Sequence, residues 1–355
     1  MAAARRPAAS RAGRGAVTIE DVAKAAGVSR QTVSNVLNAP ARVRAGTLTR
    51  VQAAIEELGY RPDQSARSLR TGERRTLAYL APVDSPSDPN PLMGGFLEAL
   101  VDAAGDEGYR ILLFRPSPGT LDSRPAIDEV IAGRQADGFL LADVLRSDYR
   151  VDHLVRAGVP FAVFGRTDPG LPQHWVDLDN KSAMRAVAAH LAAQGHRRVG
   201  YLGAASELPW TADRREGFRV GLRDHGLEGT SALEPLDPTD PADTVEAVHA
   251  LLRSSQRPTA IAAASDMLAV TAYEAIRAAG LVVGRDVAVV GCHDIPLCRI
   301  LTPALTSVRL PLRTIASGLV ARLLAQIRGE RAPGQGLLLP GELVVRASSS
   351  RVVEA

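Results

Sequence analysis

Between Thr18 and Leu37 the sequence TIEDVAKAAGVSRQTVSNVL gathers a guanidinium and two amides, Arg30, Gln31 and Asn35, on one short segment. Arg can pair bidentately with guanine O6/N7, and Gln or Asn with adenine N6/N7, so these side chains suit base edges in a DNA major groove. Elsewhere the residues that could do chemistry are sparse. The seven histidines show no metal-ligand spacing, and neither a nucleophile elbow nor a phosphate-binding loop is present. Two cysteines, Cys292 and Cys298, are too few for a disulfide framework or a four-cysteine zinc site. No catalytic residue, metal or cofactor is therefore expected.

The elements that must position the three groups are short helices. Thr18, with Asp21 three residues on, reads as an N-cap, and Ser29, with Thr32 behind it, reads as the next. Ile19, Val22, Ala23 and Ala26 form one apolar stripe and Val33, Val36 and Leu37 another, which leaves Arg30, Gln31, Ser34 and Asn35 facing outward. Two helices broken at Gly27-Val28 make a helix-turn-helix, although an ordinary pair of surface helices has the same pattern. The sequence predicts a third helix over Thr47–Tyr60, whose Val51, Ile55 and Leu58 close a small core. Asp63–Arg70 is a further helix candidate, shorter than the roughly 12–15 residues an isolated helix needs in water.

The run V-T-I-x-D-V-A-x-x-A-G-V-S-x-x-T-V-S-x-V-L-N, followed by L-G-Y-x-P-D and A-R-S-L-R, resembles the lactose-repressor/galactose-repressor family of bacterial transcription regulators. The resemblance implies that Arg30, Gln31 and Asn35 read bases while Thr18, Ser29, Thr32 and Asn38 position the helix on the DNA backbone. It also makes Asp63–Arg70 a hinge helix that folds when two protomers meet over the minor groove. Leu69 is then the wedge between base steps, with Arg67 and Arg70 beside phosphates. Charge agrees with this placement. Residues 1–76 hold fourteen Lys/Arg against six Asp/Glu, an excess of eight, whereas the whole chain is +3, so the remainder is near −5. A basic N-terminal segment gains affinity from phosphate contacts and counterion release.

From Leu77 onward, short β-rich runs alternate with helical segments, the pattern of parallel sheets covered by helices. One series runs from TLAYLAP to PFAVFGR; a second begins near Trp175 with WVDLDN and includes a strand region near Leu233–Leu236. The resemblance extends to about residue 350, with markers at Gly195–Gly203 (GHRRVGYLG), Arg214–Phe218 (RREGF) and Pro303–Val308 (PALTSV). It implies an all-α helix-turn-helix headpiece and hinge helix, then an α/β periplasmic-binding-protein-like core of two doubly wound parallel-sheet lobes with ligand in the cleft. The expected divisions are a basic arm at 1–16, the headpiece at 17–62, the hinge at 63–72 and the core at 73–355. Lobe 1 is expected over 75–172 and 309–333, and lobe 2 over 173–308 and 334–350.

Within that cleft, Arg214 matches the arginine that family members point at effector oxygens, and Trp210 lies one helical turn before it. Asn90 and Pro91 offer contacts from the first lobe, Arg166 follows Gly165, and Ser265-Asp266 is either a hydroxyl-binding pair or a helix cap. The late loop usually reads G-[FY]-D-D or G-[FY]-D-N; here it is Gly291-Cys292-His293-Asp294, so His293 stands where an aspartate is usual. Because an imidazole becomes cationic near neutral pH, Arg214 and His293 tilt the expected effector toward a sugar acid or sugar phosphate, with a neutral sugar close behind. The expected partners are double-stranded operator DNA, this small-molecule effector and a second copy of the chain. No membrane partner is expected, because no apolar run reaches the roughly 20 residues a spanning helix needs. The N-terminus lacks a secretory apolar region, which points to the cytoplasm, and the lack of a heptad tail points to a dimer. A solute-binding protein fits the core but not the headpiece. Control by a protein coeffector, or by a corepressor, stays open.

Overall fold

The computed structural model describes residues 17–60, 73–81, 91–117, 119–120, 122–168, 170, 173–203, 207–230, 241–330 and 336–349. The chain divides into two compact units between Arg74 and Arg75. In the first, α1 (Ile19–Ala26), α2 (Arg30–Asn38) and α3 (Ala45–Leu58) pack around the buried Val22, Val33 and Val51. Thr18 and Asp21 cap α1 reciprocally. The Asp21 amide donates to the Thr18 hydroxyl at 3.3 Å and the Thr18 amide to the Asp21 carboxylate at 2.8 Å. Gly27 ends α1 at φ +64°, a left-handed conformation that costs glycine nothing, and the turn is complete two residues later. Ser29 caps α2, accepting from the Thr32 amide at 3.1 Å.

The second unit holds two six-stranded sheets. The first contains β1 (Thr76–Leu80), β2 (Arg110–Phe114), β3 (Gly138–Leu141), β4 (Phe161–Phe164), β5 (His174–Leu178) and β11 (Gly336–Leu339), in the order β11-β5-β4-β3-β1-β2 and parallel throughout. The second contains β6 (Arg198–Leu202), β7 (Glu228–Thr230), β8 (Ala260–Ala263), β9 (Ala288–His293), β10 (Thr306–Arg309) and β12 (Glu342–Val344), in the order β12-β10-β9-β8-β6-β7. Only β12 runs antiparallel, against β10. Successive residues of a strand point to opposite faces, and β1 shows the consequence. Leu77 and Tyr79 pack with Phe96 and Leu100 of α4 (Pro91–Asp106), whereas Ala78 and Leu80 join the cluster holding Ile127 and Leu154, from the helices over Arg124–Ala132 and Tyr149–Ala157. A sheet covered on both faces explains why these strands read as continuous apolar runs.

The chain passes between the lobes three times: after β5, after β10 at Leu310-Pro311, and between β11 and β12 at Pro340-Gly341. These crossings move the expected lobe boundaries. β5, expected to open the second series, pairs with β4 in the first sheet, and β11, expected in lobe 2, pairs with β5 there. An apolar run states that a strand is buried but not which sheet receives it, so the boundaries at 172/173 and 333/334 fell one strand early. The strand expected near Leu233–Leu236 lies outside the described residues; β7 covers Glu228–Thr230.

One close approach sets the second lobe's geometry. Helix α7 (Asn180–Ala193) lies against α8 (Pro209–Asp224) at Gly217, where a Cβ would collide with the backbone of Lys181. The glycine three residues after Arg214 thus presses α8 onto the N-terminal turn of α7 and brings Arg214 to Asn180.

Candidate functional site

On the headpiece, Arg30, Gln31 and Asn35 are all exposed on the outer face of α2, opposite buried Val33 and Val36. The Gln31 amide donates to the Asn35 side-chain oxygen at 3.0 Å, so two of the three form a linked pair on consecutive turns. Arg30 lies 3.8 Å from Glu20, an exposed pairing that leaves the guanidinium accessible. Thr18, Ser29 and Thr32 serve the helix ends: Thr18 and Ser29 cap them, and the Thr32 hydroxyl bonds that of Ser29 at 2.9 Å. Helix α2 ends at Asn38. Arg67, Leu69 and Arg70 lie outside the described residues.

In the core, the carboxyl ends of the strands from both sheets converge on a cleft with an empty volume of about 570 Å³, counting its open mouth. Doubly wound sheets place ligand crevices at this end of their strands. Gly165 and Arg166 follow β4, Asp177 lies in β5, Asn180 opens α7 and His293 ends β9. Trp210 and Arg214 project from α8.

Arg214 is 3% exposed and is held on four sides. Its Nε donates to Asn180 Oδ1 at 2.8 Å, and its Nη1 donates to the Ala264 carbonyl at 2.6 Å and to His293 Nε2 at 2.9 Å. The guanidinium carbon sits 4.4 Å from the centroid of the Trp210 ring, a cation–π contact. No described residue accepts from Nη2. One face of the Trp210 ring is thus in contact with Arg214, and the ring meets His293 edge-on at 6.4 Å.

His293 is not the cation the sequence suggested. Burial, and then the adjacent Arg214 charge, hold its pKa well below the ordinary 6.5. Because Nε2 accepts from Arg214, the single ring proton sits on Nδ1. Arg166 does not supply a free charge either. Its Nε donates to Asp177 at 2.8 Å and its Nη2 to Asp213 at 2.6 Å. Burial works against the Arg166 charge, but the two carboxylates outweigh it and raise the guanidinium's pKa. The charged groups lining the cleft are Asp143, Asp177, Arg166 and Arg214, two of each sign. With the imidazole neutral and Arg166 paired to two carboxylates, the cleft lacks the two free cations on which the expected tilt toward an acidic ligand rested.

Three further expectations shift. Pro91 is exposed at the start of α4, and the next two residues, Leu92 and Met93, line the cleft instead. Asn90 lies outside the described residues. Ser265 caps α10 (Asp266–Ala278), accepting from the Leu268 amide at 3.3 Å. Asp266 is fully buried; it accepts from the Ser307 hydroxyl at 2.6 Å and the Ile295 amide at 2.9 Å, and does not line the cleft. Both cysteines are buried free thiols, and burial pushes that of Cys292 up to about 11. Sequence reasoning missed Asp177 as a lining residue and left Asn180 between a helix cap and a cleft ligand; both line the cleft. The V-D-x-D-N run was visible, but a cap and a cleft ligand look alike in sequence.

Among the described residues, no group of three or more His, Cys, Asp or Glu could hold a metal ion, and no helix is long and apolar enough to cross a membrane. Residues 18–63 match the model of the bacterial regulatory proteins of the lacI family, and residues 188–349 that of the periplasmic binding protein-like domain. The chain is 32% identical over 335 residues to the HTH-type transcriptional regulator CelR of Thermobifida fusca, covering 93% of this chain and 98% of that one. A solved CelR–cellobiose complex superposes with a TM-score of 0.68 at 30% identity, over 94% of this chain and 99% of that one. The lac repressor dimer bound to operator and an anti-inducer superposes at 0.79 and 25% identity, over 95% of this chain and all of that one. A three-helix headpiece with an outward Arg-Gln-Asn face, a two-lobed core with a cleft at the carboxyl ends of its strands, and relatives that match nearly end to end place this chain in the lacI family of bacterial transcriptional regulators.

Proposed function

We propose that the chain is a cytoplasmic, homodimeric repressor that binds a palindromic operator through α2 and is controlled by a neutral sugar in the interlobe cleft. The carrying observation is the charge balance of that cleft. A sugar acid or phosphate would need a net positive site, whereas Arg166 is neutralised by Asp177 and Asp213 and His293 is uncharged. What the cleft does offer is a set of hydroxyl-matching groups: the Arg214 Nη2 donors, the His293 Nδ1–H and the Asp177 carboxylate. Leu92, Met93, Val144 and Phe164 supply the apolar wall on which the C–H face of a sugar ring packs.

Cellobiose is the first ligand to test, because a relative with 30% identity is solved in complex with it. On DNA, Arg30, Gln31 and Asn35 read bases, with Ser29 and Thr32 near the phosphates at the N-terminus of α2. The experiment selects operator duplexes from a random pool, then titrates the complex with cellobiose and, separately, glucuronate. Release by cellobiose alone supports the reading. Release by glucuronate alone contradicts the neutral-sugar assignment, and tighter binding with cellobiose makes it a corepressor.

A further inference from the structure

Asp294 is the residue next to His293, and unlike His293 it does not line the cleft. The two are consecutive non-glycine residues with positive φ, 120° at His293 and 52° at Asp294. Side chains rarely adopt such conformations, and a pair persists only where surrounding groups fix it. The fixing groups are explicit. The Asp294 amide donates to the Ser307 hydroxyl at 3.0 Å, and that hydroxyl donates to Asp266. The next amide, that of Ile295, donates to the other Asp266 oxygen.

The Asp294 carboxylate, whose side chain is only 1% exposed, lies between two arginines. Arg309 Nε donates to Oδ2 at 2.8 Å, and Arg346 Nη2 lies 2.6 Å from Oδ1 as a close ion contact rather than an aligned hydrogen bond. Arg309 stands at an interlobe crossing, and Arg346 lies in the second lobe just beyond β12. Arg309 is the last residue of β10, one before the Leu310-Pro311 crossing, and it pairs in register with Glu342, the first residue of β12 after the Pro340-Gly341 crossing. The Arg309 guanidinium also reaches the Glu342 carboxylate at 3.3 Å. Arg346, two residues beyond β12, donates through Nη1 to the Leu305 carbonyl at 2.6 Å.

We infer that Asp294 is a positioning residue that ties the cleft-lining His293 to two of the three interlobe crossings through Arg309, which precedes one and bonds Glu342 just after the other, while Arg346 fixes the carboxylate within the lobe. The chain of contacts is continuous: Arg214 to His293, His293 to Asp294 through the left-handed backbone, and Asp294 to Arg309 and Arg346. Arg309 pairs in register with His293 across β10 and β9, so a change in lobe angle reaches Asp294 through the Arg309 side chain and its bond to Glu342 at the crossings, and the adjoining imidazole turns with it. Conversely, a ligand that fixes His293 favours one arrangement of the crossings, which is a coupling free energy shared by the two places. Spatial continuity alone does not establish coupling; a double-mutant cycle does.

The test uses Arg309→Gln, because that side chain is 40% exposed and its loss leaves the core packed. Its first readout is the imidazole nitrogen spectrum of histidine-labelled full-length protein without any ligand. His293 is assigned by its loss in His293→Ala. The expected result is that Arg309→Gln shifts the His293 nitrogens from one fixed tautomer toward a mixture, while Arg309→Lys, which keeps the charge, moves them back. An unchanged His293 spectrum in Arg309→Gln overturns the inference. The second readout is cellobiose affinity, which rests on the neutral-sugar reading. Arg309→Gln is expected to weaken it about tenfold in the wild-type background and to have no further effect when His293 is already Ala. Equal losses in the two backgrounds overturn the coupling. If the wild type does not bind cellobiose while the His293 spectrum responds to Arg309→Gln, the sugar reading falls and the positioning role stands.

Discussion

Arg214 donates from Nη1 to Nε2 of His293 across 2.9 Å, and this bond decides the electrostatics of the cleft. An imidazolium would have no lone pair to accept it and would face a guanidinium at contact distance. The histidine is therefore a neutral Nδ1–H donor that supports the arginine rather than adding to its charge.

The first prediction concerns pH. The pKa of His293 is near the ordinary 6.5 in the unfolded chain and well below it in the folded one. As pH falls below about 6.5, the unfolded state takes up a proton that the folded state refuses, so stability falls with pH there and is level above it. His190, whose pKa is lowered by burial, acts in the same direction. Melting temperatures from pH 5 to 8 should therefore drop on the acid side, and His293→Gln should flatten part of that slope. Parallel curves for the two proteins would show that His293 is not held neutral.

A second prediction follows from what Arg214 satisfies. Arg214→Ala strands Asn180 Oδ1, the Ala264 carbonyl and His293 Nε2 around a new void, and should lower stability by about 3 kcal/mol. Arg214→Lys should recover little, because one ammonium lacks the planar fork that reaches three acceptors while stacked on Trp210. Denaturant unfolding of the three proteins measures this; full recovery by Lys would mean that charge alone matters.

Two glycines should respond oppositely to the same change. Gly217→Ala drives a Cβ into the Lys181 backbone, forces α7 and α8 apart, and should cost about 1–3 kcal/mol as well as weaken ligand binding through Arg214. Gly105→Ala, in α4 with open space around the new Cβ, should be neutral or stabilising by up to about 1 kcal/mol. Calorimetric melting of both distinguishes close approach from a general intolerance of alanine.

On the headpiece, Gln31→Ala should weaken binding to a selected operator by about 1–3 kcal/mol and relax selectivity at one symmetric pair of bases. Because Gln31 bonds Asn35, the two substitutions should be non-additive. Binding assays against operator and random duplexes check both points. Equal loss on both DNAs would remove base reading by Gln31.

The headpiece was legible almost residue by residue. Its caps and its three apolar stripes are local, and Thr18, Ser29, Val22, Val33 and Val51 do what their spacing implies. The alternating sheet pattern of the core was equally plain, but strand membership was not, because β5 and β11 choose their partners through long crossings. In the cleft, Arg214 and Trp210 were readable from motif and spacing. The neutral state of His293 and the pairing of Arg166 were not, since both depend on neighbours 79 and 47 residues away. Asp266 had the type of either a ligand or a helix cap; only its burial under Ser307 and Ile295 shows that it holds the loop.

The most direct test is calorimetric titration of wild type and Arg214→Gln with cellobiose and with glucuronate, at pH 7 and at low and high salt. Wild type is expected to bind cellobiose with an affinity indifferent to salt, Arg214→Gln to lose that binding, and glucuronate to bind weakly or not at all. Preferential, salt-sensitive binding of glucuronate would contradict the neutral-sugar assignment and would mean that Asp177 and Asp213 do not cancel the positive charge of Arg166.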